Sequence, residues 1–395
     1  MARVLLMVSL TAAAAERLGK AGPRRDVIEL ARAANGEIVY QETEGARRGL
    51  RQRVFGPHVR QAWATAGRVE PGDVVFADGE HNGIPLLFAL AVRRRRPARV
   101  VVIGHLVSRP WKRVLLRVAT RLGTPGTLVL HSIVQRDAVR GDLGRGWDAR
   151  LLPYQVDTAY WNVERRGEPE ATPFILAVGA ENRDYATLVE AARGLDVRVL
   201  IAAGSYWARE AAAANALPPN VEYRSEPIPF TELRDLYARA TAVVVPLHDV
   251  PNQSGVTTIL EAMSCGVPVI VSASLGQQEC IAGPLVERDG SFDLAATAGR
   301  GPALFGNGDA CGPATGMYVP VREAAALRAA VLTVVDDAAA AKSMSRAATT
   351  AARTQFSIEA FVEAFRGLLV GEAPLTVHDS VAPDHRQPAT ALEGP

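Results

Sequence analysis

The chain has 395 residues, 48% of them hydrophobic, with 44 Lys and Arg against 42 Asp and Glu and a formal charge of +2. That length fits two domains, and the apolar content is ample for two cores. So small a net charge gives no case for a general nucleic-acid or membrane binder. Three cysteines, Cys265, Cys280 and Cys311, are too few and too scattered for a disulfide framework or a metal site, and they fit a reducing cytoplasm. No apolar run is long enough to span a bilayer.

The N-terminal stretch MARVLLMVSLTAAAA (Met1–Ala15) resembles a short signal peptide in composition. Its apolar run is strand-like, however, and leads into the charged helix ERLGK, so it reads as the first strand and loop of the fold. Further strands are expected at Glu37–Tyr40, Val74–Ala77, Val100–Ile103, Thr127–Leu130 and Leu151–Leu152. Others follow at Phe174–Val178, Val197–Ala202, Val221–Tyr223, Ala242–Val245, Val267–Val271 and Met317–Val319. Many are apolar at consecutive positions, the mark of parallel strands covered on both faces. Helical patterns such as RRDVIELARA, YATLVEAARG and TELRDLYARA alternate with them. The alternation predicts a doubly wound α/β architecture.

The basic run Arg93–Arg96 with Arg99 follows an apolar helical segment. It reads as a solvated helix end, with a patch for an anionic acceptor or a membrane surface as the alternative. The charged, proline-containing stretch Asn162–Pro173 breaks the pattern and is expected to link a domain over 1–161 to one over 174–357. Two Rossmann-like domains would then face each other across a cleft, with ligands beyond the carboxyl ends of the strands. Ile281–Thr315 is glycine-rich and reads as an irregular insertion. An amphipathic helix is expected over 358–370, and a disordered tail over 371–395.

The stretch Asn252–Ser272, NQSGVTTILEAMSCGVPVIVS, carries the most chemistry. A small-residue loop delivers backbone N–H groups and a helix N-terminus, which favour a phosphate. Thr257 and Thr258 add hydroxyl donors. Glu261 lies one turn on, where a carboxylate can accept two hydrogen bonds from a vicinal diol such as a ribose. An ordinary loop–helix–strand unit with a solvated Glu fits the same pattern.

This stretch resembles the nucleotide-sugar motif of the retaining glycosyltransferase family 4, which has the GT-B fold. LEAMSCGVPVI matches the second half of that family's motif, with Glu261 at the second of its two Glu positions. The resemblance implies that Glu261 grips the ribose, and that Gln253, Ser254 and Gly255 face the donor sugar. Gln253 stands where the family has its first Glu, a departure. FILAVGAENRDYATLVEA (Phe174–Ala191) resembles the strand, loop and helix that hold the diphosphate, with Gly179 and Arg183 in those places and Thr257 beside them. No second basic residue is evident. Gly204 ends the next strand, and Pro229 lies in the segment that packs on the nucleotide base.

In the N-terminal half, LLPYQVDTAYW (Leu151–Trp161) resembles the family's interdomain junction. His105 ends a strand where members place a His facing the donor sugar. A lone His at a strand end is more often a packing residue, but its cleft-side position favours a catalytic role beside Arg183. The loop with Asp78, Glu80 and His81 also ends a strand at the cleft and is the candidate acceptor contact. The family's glycine-rich loop after the first strand is not evident. There is no Asp-x-Asp motif, so a metal-bridged diphosphate is not expected. The resemblance thus implies metal-independent sugar transfer from a nucleoside diphosphate sugar to a hydroxyl acceptor (a glycan, lipid-linked sugar or small natural product), with retention. No cofactor, no nucleic acid and at most peripheral membrane contact are expected. A nucleotide-sugar 2-epimerase and a non-catalytic nucleotide-sugar-binding relative are the alternatives.

Overall fold

The computed structural model describes residues 3–42, 56–162, 170–203, 217–289, 291–293 and 313–370. Much of the expected linker, most of the insertion, Gly204 and all of 371–395 lie outside the described residues.

The N-terminal sheet holds β1 (Val4–Met7), β2 (Glu37–Val39), β3 (Val74–Ala77), β4 (Arg99–Gly104), β5 (Gly126–Leu130) and β6 (Trp147–Leu151). Their order is β2-β1-β3-β4-β5-β6, and every pairing is parallel. β1, β3 and β5 are buried along their whole length, which is why β1 and β3 read as unbroken apolar runs. β6 is an edge strand and half-exposed. It has no apolar run, so the expected strand at Leu151–Leu152 catches only its last residue.

Among the described residues of this lobe, the helices are α1 (Ala12–Ala21), α2 (Asp26–Ala33), α3 (Pro57–Arg68), α4 (Glu80–Val92), α5 (Pro110–Ala119) and α6 (Ile133–Arg140). Ala62, Leu87, Leu116 and Val139, from α3 to α6, share one core on one face of the sheet. The Ala run after β1 is not a loop. It forms α1, begun by Thr11, whose hydroxyl accepts from the Ala14 N–H at 3.1 Å; a hydroxyl cap and an alanine run favour a helix.

The C-terminal sheet contains β7 (Phe174–Val178), β8 (Arg198–Ala202), β9 (Val221–Arg224), β10 (Ala242–Val245), β11 (Val269–Ser272), β12 (Leu285–Val286), β13 (Phe292–Asp293) and β14 (Met317–Val319). The order is β13-β12-β14-β11-β10-β7-β8-β9. Only the β12–β13 pair is antiparallel. Part of the stretch read as an irregular insertion therefore extends the sheet. These strands are too short to leave a periodic signal.

Around this sheet stand α7 (Tyr185–Ala192), α8 (Phe230–Arg239), α9 (Val256–Ser264), α10 (Ala324–Asp336) and α11 (Ala338–Thr354). Residues of α8 and α9 fill one core and those of α7 and α10 the other, with α11 contributing Ala348, Ala351 and Ala352 to the first and Met344 to the second.

The last helix, α12 (Ile358–Val370), returns to the N-terminal lobe. Phe361, Phe365, Leu368 and Leu369 are buried against Val4, Leu6, Phe76 and Leu30. The two crossing chains pair where they meet: Val156 N–H donates to Phe356 O at 2.7 Å, and Ile358 N–H to Val156 O at 3.1 Å.

Candidate active site

The winding of the first sheet reverses between β1 and β3, and that of the second between β7 and β10. Loops leaving neighbouring strands there diverge and open a crevice. The two crevices face each other and leave two cavities. One, of about 310 Å³, is lined by His105, His131, Gln135 and Tyr154 from the N-terminal lobe, and by Gln253, Gly255 and Thr257 from the C-terminal lobe. The other, of about 150 Å³, has Arg25, Asp26 and Gln155 on one side and Thr257 and Glu261 on the other. Thr257 and Tyr154 border both, so the two form one continuous cleft.

Arg183 sits at the end of β7, under the N-terminus of α9. Its guanidinium donates to Val178 O at 3.1 Å, to Glu181 O at 2.8 Å and to the Thr258 hydroxyl at 3.4 Å. Two glycines make room for it. A Cβ on Gly179 would lie 2.6 Å from Arg183 Nη2, and one on Gly255 would lie 3.3 Å from Nη1. Both glycines also have left-handed backbone, φ +101° and +83°, which side chains disfavour. Among the described residues Arg183 is in no ion pair, and burial pulls its pKa below the usual value. A desolvated cation without a counter-ion, beside the free N–H groups of a helix start, is a site for an anion.

Glu261 lies one turn along α9 from Thr257, on the same face. Its Oε2 accepts from the Tyr237 hydroxyl at 2.9 Å. Tyr237 is fully buried. Burial pushes the Glu261 carboxyl up to about 7, opposed in part by the Tyr237 bond. The residue also lines the smaller cavity.

Gln253 borders the larger cavity. Its amide nitrogen donates to His131 O at 3.0 Å across the cleft and to Glu279 Oε2 at 3.3 Å. Its amide oxygen is buried with no partner among the described residues. Glu279 is itself wholly buried. It caps α6 of the opposite lobe, accepting from the Ile133 N–H at 2.8 Å, and burial raises its carboxyl to about 7. A carboxylate thus stands directly behind the amide that replaces the family's first Glu.

Other expected site residues are placed differently. Ser254 is buried, and its hydroxyl accepts from Asn182 and Asn252, each at 2.8 Å. It holds the loop and borders neither cavity. Glu80 is buried as well. It pairs with Lys112 at 2.5 Å and accepts from the His105 and Leu106 N–H groups, at 2.9 and 3.3 Å. It fixes the β4–α5 loop and is not free to meet an acceptor. Pro229 is exposed at the start of α8 and borders neither cavity. Gly204 lies outside the described residues.

His105 is exposed and borders the larger cavity, with Nε2 3.1 Å from Asp78 O. Asp78 and His81 belong to a polar cluster at the N-terminal switch point. Asp78 accepts from Ser9 N–H at 2.6 Å, the Ser9 hydroxyl at 2.9 Å and Asn82 at 2.8 Å. His81 Nε2 lies 2.6 Å from Ser9 Oγ, and His58 Nδ1 lies 2.7 Å from Asn82 Oδ1.

The structure adds groups that the sequence reading passes over. Arg25 and Asp26 reach the cleft from the start of α2, and Asp26 accepts from Gln155 at 2.6 Å. Arg25 is in no ion pair among the described residues, so a second cation does line the smaller cavity. The one cue was charge at a helix start, in PRRD. Buried His131, whose pKa burial lowers to about 3, is a neutral wall of the larger cavity. Among the described residues no group of three His, Cys, Asp or Glu is placed to hold a metal ion.

Residues 173–337 match the protein family described as glycosyl transferases group 1. The match covers the C-terminal sheet and contains Gly179, Arg183, Gln253, Thr257 and Glu261, so this lobe carries a glycosyltransferase domain. The whole chain has the GT-B fold of several solved structures. It is similar to a sucrose-phosphate synthase from Thermosynechococcus elongatus, with 15% identity, 94% of this chain and 100% of that one covered, and a TM-score of 0.64. It is similar to Anabaena HepE in complex with UDP and glucose, with 14% identity, 93% and 99% covered, and a TM-score of 0.60. It also resembles an α,α-trehalose-phosphate synthase (UDP-forming) from Burkholderia vietnamiensis, at 12% identity, 94% and 100% covered, and a TM-score of 0.62. None of the curated proteins matches the chain.

Proposed function

We propose that the protein transfers a sugar from a nucleoside diphosphate sugar to a hydroxyl acceptor, with retention of anomeric configuration and without a metal ion. The observation that carries this reading is the half-buried Arg183 guanidinium, which has no ion-pair partner among the described residues and lies beside the start of α9. The diphosphate occupies that place, met by Arg183, the Thr257 hydroxyl and the first N–H groups of α9. Gly179 and Gly255 let it approach closely. Glu261 accepts from the ribose hydroxyls. The sugar then lies in the larger cavity, beside Gln253 and with His105 opposite. The similar structures with bound UDP or described as UDP-forming support this donor class.

The acceptor enters from the N-terminal lobe, beside His105, Asp78 and His81. When the C1–oxygen bond breaks, its electron pair leaves with the diphosphate. Arg183 and the α9 N-terminus stabilise that charge, and the closed cleft orients the two substrates. The acceptor oxygen bonds to C1 on the same face, and its proton passes to the departing phosphate. Retention rests on the family resemblance and metal independence on the missing Asp-x-Asp motif. The reading involves no cofactor and no nucleic acid, and a cytoplasmic location.

The test is incubation with a panel of nucleotide-sugars, with and without mixed glycan, lipid-linked and small-molecule acceptors, in chelator. Released nucleoside diphosphate and a glycoside of unchanged anomeric configuration are expected. An inverted product overturns retention. An epimerised nucleotide-sugar formed without acceptor identifies an epimerase. Tight binding with neither transfer nor donor hydrolysis identifies a non-catalytic relative.

A further inference from the structure

Helix α5 turns the wrong side out for a helix of a globular lobe. Leu116 and Ala119 are buried, while Trp111, Val114 and Val118 are 58, 56 and 46% exposed, with Leu115 and Leu122 each at 38%. At about 100° per residue these five side chains form one stripe along the helix and its C-terminal extension. An outward stripe of this kind is a binding surface. Arg113, Arg117 and Arg121 run along its flank.

The surroundings are basic. Asp142 answers Arg113 and Arg117, and Glu80 answers Lys112, but Arg109 and Arg121 make no ion pair among the described residues. α4 contacts α5 from the same layer. It ends in exposed Val92 and the exposed arginines Arg94, Arg95 and Arg96, with Arg93 stacked 4.1 Å over half-exposed Trp63. Residues 1–161 hold 26 Lys and Arg against 14 Asp and Glu, a net of +12, while residues 162–395 hold 18 against 28, a net of −10. The near-neutral total hides this polarity.

We infer that the exposed face of α5, with the α4 C-terminus, docks the N-terminal lobe on an anionic lipid surface. Trp111 and the aliphatic stripe enter the headgroup boundary, and the arginines meet lipid phosphates. A second copy of the same face is disfavoured, because two such faces repel. The docking also serves the cleft: the chain runs from the cavity-lining Leu106 directly into the start of α5, so a membrane-borne acceptor arrives at the cleft mouth. The inference stands on surface chemistry and holds whatever reaction the cleft performs.

The test is co-sedimentation of the full chain with vesicles of phosphatidylcholine alone and of phosphatidylcholine with phosphatidylglycerol. Binding is expected only with the anionic vesicles, weakening as salt rises. Trp111→Glu/Leu115→Glu is expected to lower partitioning by at least about tenfold. Arg94→Glu/Arg96→Glu, away from the stripe, is expected to lower it by a similar factor. Both pairs are exposed, so thermal unfolding should stay near that of the unchanged chain. Equal binding to neutral and anionic vesicles overturns the inference, as does failure to bind the anionic ones, or binding that ignores the Trp111/Leu115 change. So does a dimer lost on that change with no vesicle binding, since a second copy then covers the face.

Discussion

Replacing Arg183 with Met removes the guanidinium but keeps side-chain volume between Gly179 and Gly255. The carbonyls of Val178 and Glu181 lose donors, at about 1 kcal/mol each. Removing a desolvated charge offsets part of that, so the fold persists. The binding effect is larger. A charge-assisted bond from the guanidinium to a phosphate is worth about 1.5–3 kcal/mol, and about 1.4 kcal/mol is a tenfold change. Affinity for a nucleoside diphosphate should therefore fall about 10- to 150-fold. The matching nucleoside, which lacks phosphates, should bind as before, because Glu261 remains. Calorimetric titration of both ligands into both proteins measures the two ratios. Equal losses for nucleoside and diphosphate, or no loss for either, would refute the placement of the diphosphate on Arg183.

Glu261 titrates at about 7 in the folded protein, and only its charged form accepts from both hydroxyls of a diol. Nucleoside affinity should thus rise as pH passes upward through about 7, and Glu261→Gln should bind about tenfold more weakly with a flat profile; a variant with the wild-type profile would count against the ribose role. Gln253→Glu, which restores the family's residue, should destabilise the protein by about 1–3 kcal/mol at high pH. It sets a carboxylate against Glu279 and against the His131 carbonyl. The penalty should shrink below pH 7, where one of the pair holds a proton, and the double change Gln253→Glu/Glu279→Gln should regain most of it. Denaturant melts across pH test this, and a pH-independent penalty without rescue would contradict it. Phe365→Ala should cost about 3–5 kcal/mol, because Phe365 is fully buried against Phe76 and Phe361. Loss of under about 1 kcal/mol in urea unfolding would show that α12 contributes little.

The sequence carried the sheets well where strands are buried on both faces. β1, β3, β7 and β10 read as apolar runs because nothing else can sit between two helical layers. The half-exposed β6 and the two-residue β12 and β13 have no such pattern. The C-terminal half of the site was legible for a local reason: Gln253, Thr257 and Glu261 lie within a single loop and helix turn, so spacing fixes their relation. Arg183 joins them through Gly179 and Gly255, whose packing against the guanidinium only the structure shows. Arg25, Asp26, His131 and Glu279 were not legible, because each gains meaning only from a partner far along the chain. Glu80 and Ser254 were misassigned for the same reason. Their partners, Lys112 for one and Asn182 and Asn252 for the other, hold them out of the two cavities.

The return of α12 to the N-terminal lobe sets an order on synthesis. Domains emerging from a ribosome tend to fold as units, the first-made first. Here the first-made lobe cannot close: Val4, Leu6 and Phe76 keep an open apolar face until Phe361, Phe365, Leu368 and Leu369 arrive at the other end of the chain. A nascent or prematurely stopped polypeptide therefore displays a sticky surface that the finished one conceals. That surface gives chaperones and proteases a means of telling complete molecules from unfinished ones.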